Sequence, residues 1–185
     1  EIANVKVFNE YLMQSKFCTE SDNLVATGGL MSQIYVWDCE TSDCREVACF
    51  DHKDLDADFK GLEIEWQNAK NIAVAGKSKF IYLWSIDQPN HPLIKWDGHQ
   101  EIVEQIQWDP NKRLLASCSN ESFVCIWSPE KTDPELRLDT KGSAVLTIKW
   151  SHNMNGANSD DAMLAAGCQD GQILIFSVST AQLCV

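Results

Sequence analysis

Between Gly98 and Ser128 the chain spells out three short strands. Apolar and polar positions alternate from Ile102 to Trp108, placing Ile102, Glu104, Ile106 and Trp108 on one face and Val103, Gln105 and Gln107 on the other. Leu114 to Cys118 is a short apolar run, and Phe123 to Trp127 is a third run rich in aromatic and β-branched residues. Asp109-Pro110-Asn111-Lys112 separates the first two runs; Pro110 fixes φ and has no N–H to give, which suits a turn. Ser119-Asn120-Glu121-Ser122 is a second polar corner. The pattern predicts a small antiparallel sheet, opened by Gly98-His99 and closed by Ile126-Trp127.

The same unit recurs along the chain. Its first strand ends in Trp66 (LEIEWQN), Trp108 (EQIQWDP) and Trp150 (LTIKWSH), each 42 residues after the last. Its third strand ends in Trp37, Trp84, Trp127 and Phe176, at spacings of 47, 43 and 49. Middle strands share one theme of small apolar residues: Leu24 to Gly28, Ile72 to Gly76, Leu114 to Cys118, and Leu164 to Cys168. Weaker fourth strands fall at Arg45 to Phe50, Leu93 to Trp96 and Glu135 to Leu138. Two landmarks with one period, and no long apolar pattern at period 3.6, predict an all-β chain built as a WD-repeat β-propeller, one four-stranded blade per repeat. About four blades are expected, at 3–50, 61–97, 99–139 and 142–185. They are read as part of a larger ring of seven or eight blades, with both chain ends looking cut.

Variation collects in the connections. The first unit's opening strand is read up to Phe8, followed by a long hairpin from Tyr11 to Asn23; a second long hairpin runs from Ser151 to Asp161. Asp51 to Gly61, DHKDLDADFKG, is an acidic extension expected on the surface, where insertions cost little stability. Gly28-Gly29 and Gly167 are read as turning the chain at strand ends.

Charge and cysteines narrow the function classes. With 27 acidic against 15 basic side chains the net charge is −12. That argues against direct nucleic-acid binding, which needs clustered Lys and Arg, and favours basic partners. Eight cysteines sit singly, without a CxxC, and read as small hydrophobes in a reducing compartment. Cys39, Cys44 and Cys49, with Cys18 upstream, form one cluster, but zinc needs closely paired ligands, so no metal is expected. No apolar run approaches a membrane span and the first residues lack signal-peptide order, so a cytosolic or nuclear protein is expected.

A histidine before the first strand, a Ser or Thr in the second, an acid in the following turn and the closing Trp can form one hydrogen-bonded chain, because a buried indole N–H and a buried carboxylate both need partners. His99, Ser117, Glu121 and Trp127 supply all four; these are assigned as a structural tetrad. The other units are poorer. The second has a displaced His52 and has Ser78 at the acid position; the first has Met31 there; the fourth has Lys141 before the strand and Phe176 at its end. A His–acid–Ser hydrolase is disfavoured, since each member recurs as a position of the repeat and no G-x-S-x-G elbow exposes a nucleophile. Ser143 and His152 fit no such geometry, and no glycine loop for phosphate is present. Trp96, alone beside Asp97-Gly98-His99, is a candidate exposed binding aromatic. The remaining candidates are rim-turn positions for partner contact: Lys77, Lys79, Glu101, Asn120, Lys141, Gln169 and Asp170, with Glu121 beside them.

From Leu62 to Ser177 the chain resembles the transducin β-like corepressor family, the F-box-like WD-repeat proteins. The passages that carry the resemblance are GLEIEWQNAKNIAVAG, GHQEIVEQIQWDPNKRLLASCSNESFVCIWS and IKWSHNMNGANSDDAMLAAGCQDGQILIF, the last for its long Asn/Gly-rich hairpin. The resemblance implies an eight-bladed propeller in nuclear corepressor assemblies containing a histone deacetylase, with protein partners that include histone tails and ubiquitin-pathway components. The chain departs from the family in its degenerate tetrads and lacks an N-terminal oligomerisation region and further blades. The expectation is a non-enzymatic scaffold for proteins, nuclear and also cytoplasmic, without cofactor, small-molecule substrate, membrane or direct nucleic-acid contact. The alternative is a structural subunit of another large assembly, a cytoskeletal motor or an RNA-processing complex.

Overall fold

A computed structural model describes residues 11–30, 32–40, 44–56, 59–151 and 162–184. They form four four-stranded antiparallel sheets, and the described residues include no α-helix. The chain divides into two compact units, 1–95 and 96–185. In the first, β1 (Leu12–Phe17), β2 (Leu24–Gly29), β3 (Gln33–Asp38) and β4 (Arg45–Asp51) lie in sequence order, followed by a sheet of β5 (Gly61–Trp66), β6 (Asn71–Gly76), β7 (Phe80–Ser85) and β8 (Ile94–Asp97), whose last strand runs across the division. The second holds β9 (Val103–Trp108), β10 (Leu115–Ser119), β11 (Phe123–Trp127) and β12 (Leu136–Asp139), then β13 (Val145–Trp150), β14 (Met163–Cys168), β15 (Ile173–Ser177) and β16 (Gln182–Leu183). Each sheet is one blade, numbered here 1 to 4.

Within each unit the two blades share a core. Ala26, Ile34, Val36 and Phe50 of blade 1 pack with Trp66, Ile72, Val74 and Trp84 of blade 2. Ala116, Cys118, Val124 and Ile126 of blade 3 pack with Leu164, Ala166, Leu174 and Phe176 of blade 4. Small residues in the second strands let the facing sheets interdigitate with bulky residues opposite. Inner strands are joined by polar bonds as well. The Trp66 indole donates to the Lys16 carbonyl at 2.9 Å, and Lys16 pairs with Glu65. In the second unit the Trp150 indole donates to the Gln107 carbonyl at 2.9 Å. The Gln107 amide oxygen accepts the Trp150 backbone N–H at 3.0 Å, and that of Gln105 accepts the Ile148 N–H at 2.8 Å.

Three sequence expectations are corrected. First, blade 1 opens at Leu12–Phe17, inside the segment read as a long hairpin; this strand buries almost nothing, so it carries no alternation to detect. The strand read up to Phe8 lies outside the described residues, as does most of the hairpin from Ser151 to Asp161. Second, the alternation from Ile102 to Trp108 breaks at a bulge. Cys118 pairs with Gln105 but Ser119 pairs with Val103, so Glu104 is the extra residue. Val103 therefore turns inward, 2% exposed, and Ile102 lies outside at 41%. The same skip occurs at Met13, Leu62 and Leu146 in the other first strands. Third, Gly28, Gly29 and Gly167 lie inside strands and answer to close approach instead of turning; the left-handed glycines are Gly142 and Gly171.

Gly76, paired with Gly61 at the bulge, shows how tight that approach is. A Cβ there would sit 1.4 Å from the Lys60 carbonyl oxygen, a backbone atom that cannot swing away. Gly76→Ala is expected to lower stability by about 3 kcal/mol through overpacking. Gly171→Ala, at φ +86° with open space around it, is expected to cost about 1 kcal/mol from backbone conformation alone. Urea unfolding of both variants checks the difference.

Candidate interaction surface and its buried support

In blade 3 the third strand ends on Trp127, and its indole reaches two ladder rungs back to Ser117 on β10. The Trp127 N–H donates to Ser117 Oγ at 2.7 Å. His99 Nε2 lies 2.7 Å from the same oxygen, and His99 Nδ1 lies 2.7 Å from Glu121 Oε2. Burial lowers the His99 pKa, and the Arg137 charge adds to this against the Glu121 hydrogen bond and charge, so the ring is neutral. The chain of donors then has one direction. Trp127 donates to Ser117, the Ser117 hydroxyl donates to Nε2, and Nδ1–H donates to Glu121. Burial raises the Glu121 pKa, but donors from Ser119 Oγ (2.6 Å), His99 and the Gln100 N–H (3.2 Å) outweigh it and hold the carboxyl below its ordinary value. Ser119 is a member that the sequence reading missed.

Blade 2 solves the same problem with different residues. Val74 occupies the position of Ser117 and offers no hydroxyl. His52 comes closer instead and accepts the Trp84 indole N–H on Nε2 at 2.9 Å, while its Nδ1 lies 3.0 Å from the Ser32 carbonyl. This fixes the neutral tautomer that carries its proton on Nδ1. Burial pushes the His52 pKa down to about 4, against the Ser32 carbonyl and the Asp51 and Asp56 charges. Ser78, at the acid position, hydrogen-bonds Asp56. The acid thus comes from the 51–61 extension, and the expectation that this extension lies on the surface is corrected. His52 and Phe59 are fully buried and stacked, with ring centroids 3.9 Å apart, because the His–Trp bond draws the segment inward.

The other blades keep less. In blade 1 the Trp37 indole donates to Thr27 Oγ1 at 3.0 Å; Met31 lies outside the described residues. Blade 4 has Ala166 and Phe176 where blade 3 has Ser117 and Trp127, so donor and acceptor are absent together. Trp96 is fully buried, with its indole donating to the Lys131 carbonyl at 2.9 Å and packed near Trp108 and Trp127; it is not an exposed binding aromatic. Ser143 caps a turn by accepting the Thr140 hydroxyl on its carbonyl at 2.6 Å, and His152 lies outside the described residues. Among the described residues no three His, Cys, Asp or Glu side chains converge as a metal site requires.

The rim positions fall in turns. Lys77 is exposed and Lys79 half-buried in the β6–β7 turn, the Lys79 ammonium 5.0 Å from the Phe80 ring centroid. In the second unit Glu101, Asn120, Lys141, Gln169 and Asp170 are all exposed. Backbone bonds bring their turns to one edge: Val145 N–H to the Glu121 carbonyl at 3.2 Å, and Gln169 N–H to the Ala144 carbonyl at 2.8 Å. Lys141 is held at φ +56°, its N–H donating to Asp139 Oδ1 at 2.8 Å. The edge therefore presents one cation between acids, above the buried tetrad.

Four sheets closed by hydrogen-bonded indoles define a segment of a WD-repeat β-propeller. Residues 90–128 match the WD40 family model, described as WD domain, G-beta repeat. Among curated proteins the chain is similar to the WD40 repeat-containing protein HOS15 of Arabidopsis thaliana, 37% identical over 36% of this chain and 11% of that protein. It is also similar to the B-type cell cycle switch protein ccs52A of Medicago truncatula, 26% identical over 86% of this chain and 32% of that protein. The protein transport protein SEC31 of Saccharomyces cerevisiae is 21% identical over 90% of this chain and 14% of its own length. The chain thus spans a third or less of each of these relatives, whose names carry no enzymatic function. Among solved structures, a chain of the mitotic checkpoint complex matches with TM-score 0.76 at 20% identity, covering 94% of this chain and 49% of that one. The computationally designed Ika8 protein matches equally well, over 96% and 49%.

Two predictions test the buried support. Ser117→Ala strands the Trp127 N–H and is expected to cost about 2–3 kcal/mol, whereas adding Trp127→Phe costs less than the sum, with a coupling of about 1–2 kcal/mol. Blade 4 carries that pair of substitutions natively, and denaturant unfolding of the double-mutant cycle gives the coupling. The second concerns pH. His52 has its pKa at about 4 when folded, against an ordinary 6.5, so between these values the unfolded chain binds more protons. Stability is fully present above 6.5 and falls as pH drops toward about 4, by about 3 kcal/mol from this group. His52→Gln is expected to flatten that acid limb in urea melts taken from pH 7 to 4.5.

Proposed function

We propose that this chain is a non-enzymatic protein-interaction scaffold, part of a nuclear histone-deacetylase corepressor assembly, that engages partners through the turns at Lys77, Lys79, Glu101, Asn120, Lys141, Gln169 and Asp170. One observation carries the scaffold reading. The groups that resemble catalytic machinery are spent on structure: both ring nitrogens of His99 and both functions of the Ser117 hydroxyl are engaged in a buried chain. No proton acceptor or nucleophile of that chain faces a substrate. The exposed polar turns above it are where loops supply recognition on a rigid scaffold. The corepressor assignment is supported by the resemblance from Leu62 to Ser177, and the net charge of −12 suits basic histone tails.

A second reading, a subunit of another large assembly, is favoured by relatives named for cell-cycle switching and protein transport, aligned over 86% and 90% of the chain. Affinity capture with the full-length protein separates the two. Wild type is expected to bring down a histone deacetylase and histones, and Glu101→Lys/Lys141→Glu/Asp170→Lys to capture about tenfold less with unchanged circular dichroism. Unchanged capture by the triple variant overturns the rim assignment. Cell-cycle or coat subunits in place of the deacetylase establish the second reading.

A further inference from the structure

The outer hairpin of blade 1 brings two thiols together. On its ladder Trp37 stands opposite Glu46 and Asp38 opposite Arg45, so one further step sets Cys39 opposite Cys44. An antiparallel rung holds its two Cα atoms about 4.5–5.5 Å apart, inside the roughly 4.4–6.8 Å that a disulfide spans. The two side chains are within hydrogen-bond reach of each other. The rung below is clamped by Arg45 Nη2 to Asp38 Oδ2 at 2.8 Å, and the Cys39 N–H is tied to the Asn23 carbonyl at 2.8 Å. Both thiols are half-buried, whereas Cys18, Cys118, Cys125 and Cys168 are buried, Cys49 stands opposite Tyr35, and Cys184 is exposed.

We propose that Cys39 and Cys44 are an oxidative modification site, a thiol pair across the mouth of the β3–β4 hairpin that a low-molecular-weight disulfide such as glutathione disulfide converts to an intramolecular disulfide. The Cys44 thiolate attacks one sulfur of the reagent, whose S–S bond breaks and releases one glutathione thiolate to take up a proton. Cys39 then loses its proton and attacks Cys44 Sγ, displacing the second glutathione. Two protein thiols are oxidised and one disulfide is reduced to two thiols, so no other oxidant enters. Burial, then the Cys44 thiol and Asp38, push the Cys39 thiol up to about 11, which suits it to the second, intramolecular step.

Glu40 lies between the two cysteines and makes the test direct. The folded protein is incubated with glutathione disulfide, alkylated, cleaved at Glu40 and mapped by mass spectrometry. The Cys39 and Cys44 peptides are expected to stay joined until dithiothreitol separates them, while Cys118, Cys125 and Cys168 are alkylated only after unfolding. Cys39→Ser is expected to leave one glutathione on Cys44. Separate, alkylated Cys39 and Cys44 peptides in a sample whose Cys184 carries glutathione would overturn the proposal. So would an adduct on Cys39 in a Cys44→Ser variant equal in yield to that on Cys44 in Cys39→Ser, because the order of attack would then be wrong.

Discussion

A tryptophan buried in a sheet brings an N–H that must find an acceptor, and leaving it unmatched costs about 1–3 kcal/mol. Much of the polar architecture in this chain answers that demand. Trp127 uses Ser117, Trp37 uses Thr27 and Trp84 uses His52, each within or beside its own blade. Trp66 and Trp150 instead reach a backbone carbonyl on the preceding first strand, so their hydrogen bonds become seams between blades. Trp96 turns to the carbonyl of Lys131. Blade 4 shows the opposite solution, with Phe176 removing the donor and Ala166 the acceptor.

The two buried histidines extend this accounting to charge. Each is neutral, kept so by burial, and each relays a hydrogen bond without carrying charge into the core. The acids that complete the relays sit at the edge, Glu121 in a turn of its own blade and Asp56 in the segment leading into blade 2. Full charges are thereby left at the turns, where they are solvated and free to meet a partner.

Much of this was legible in the residue pattern. Tryptophans at fixed spacing mark strand ends, and His99, Ser117, Glu121 and Trp127 fall at repeat positions that the ladder places within bonding distance. What was hidden has physical reasons. The bulge that turns Val103 inward adds one residue of no special type, so a strict period of two runs through it and assigns Ile102 to the core. β1 is nearly all exposed and is located by its ladder with β2 and its carbonyl bond to Trp66, neither of which leaves an apolar trace. Asp56 could be read only as part of an acidic run, because its neighbour Ser78 is separated from it by 22 positions. Gly76 looked like punctuation, while its role is set by a carbonyl from another strand.

The direction of the seams bears on how the protein is made. Trp66 needs the Lys16 carbonyl, Trp150 needs that of Gln107, and Trp84 needs His52; in each case the acceptor lies upstream of the donor. As the chain leaves the ribosome, the strand arriving last finds its acceptor already synthesised, and each blade can dock on the one before it without waiting for the next. Assembly in this order keeps unmatched indoles at the growing end alone, and it lets a unit of two blades close around its own core while the following unit is still being translated.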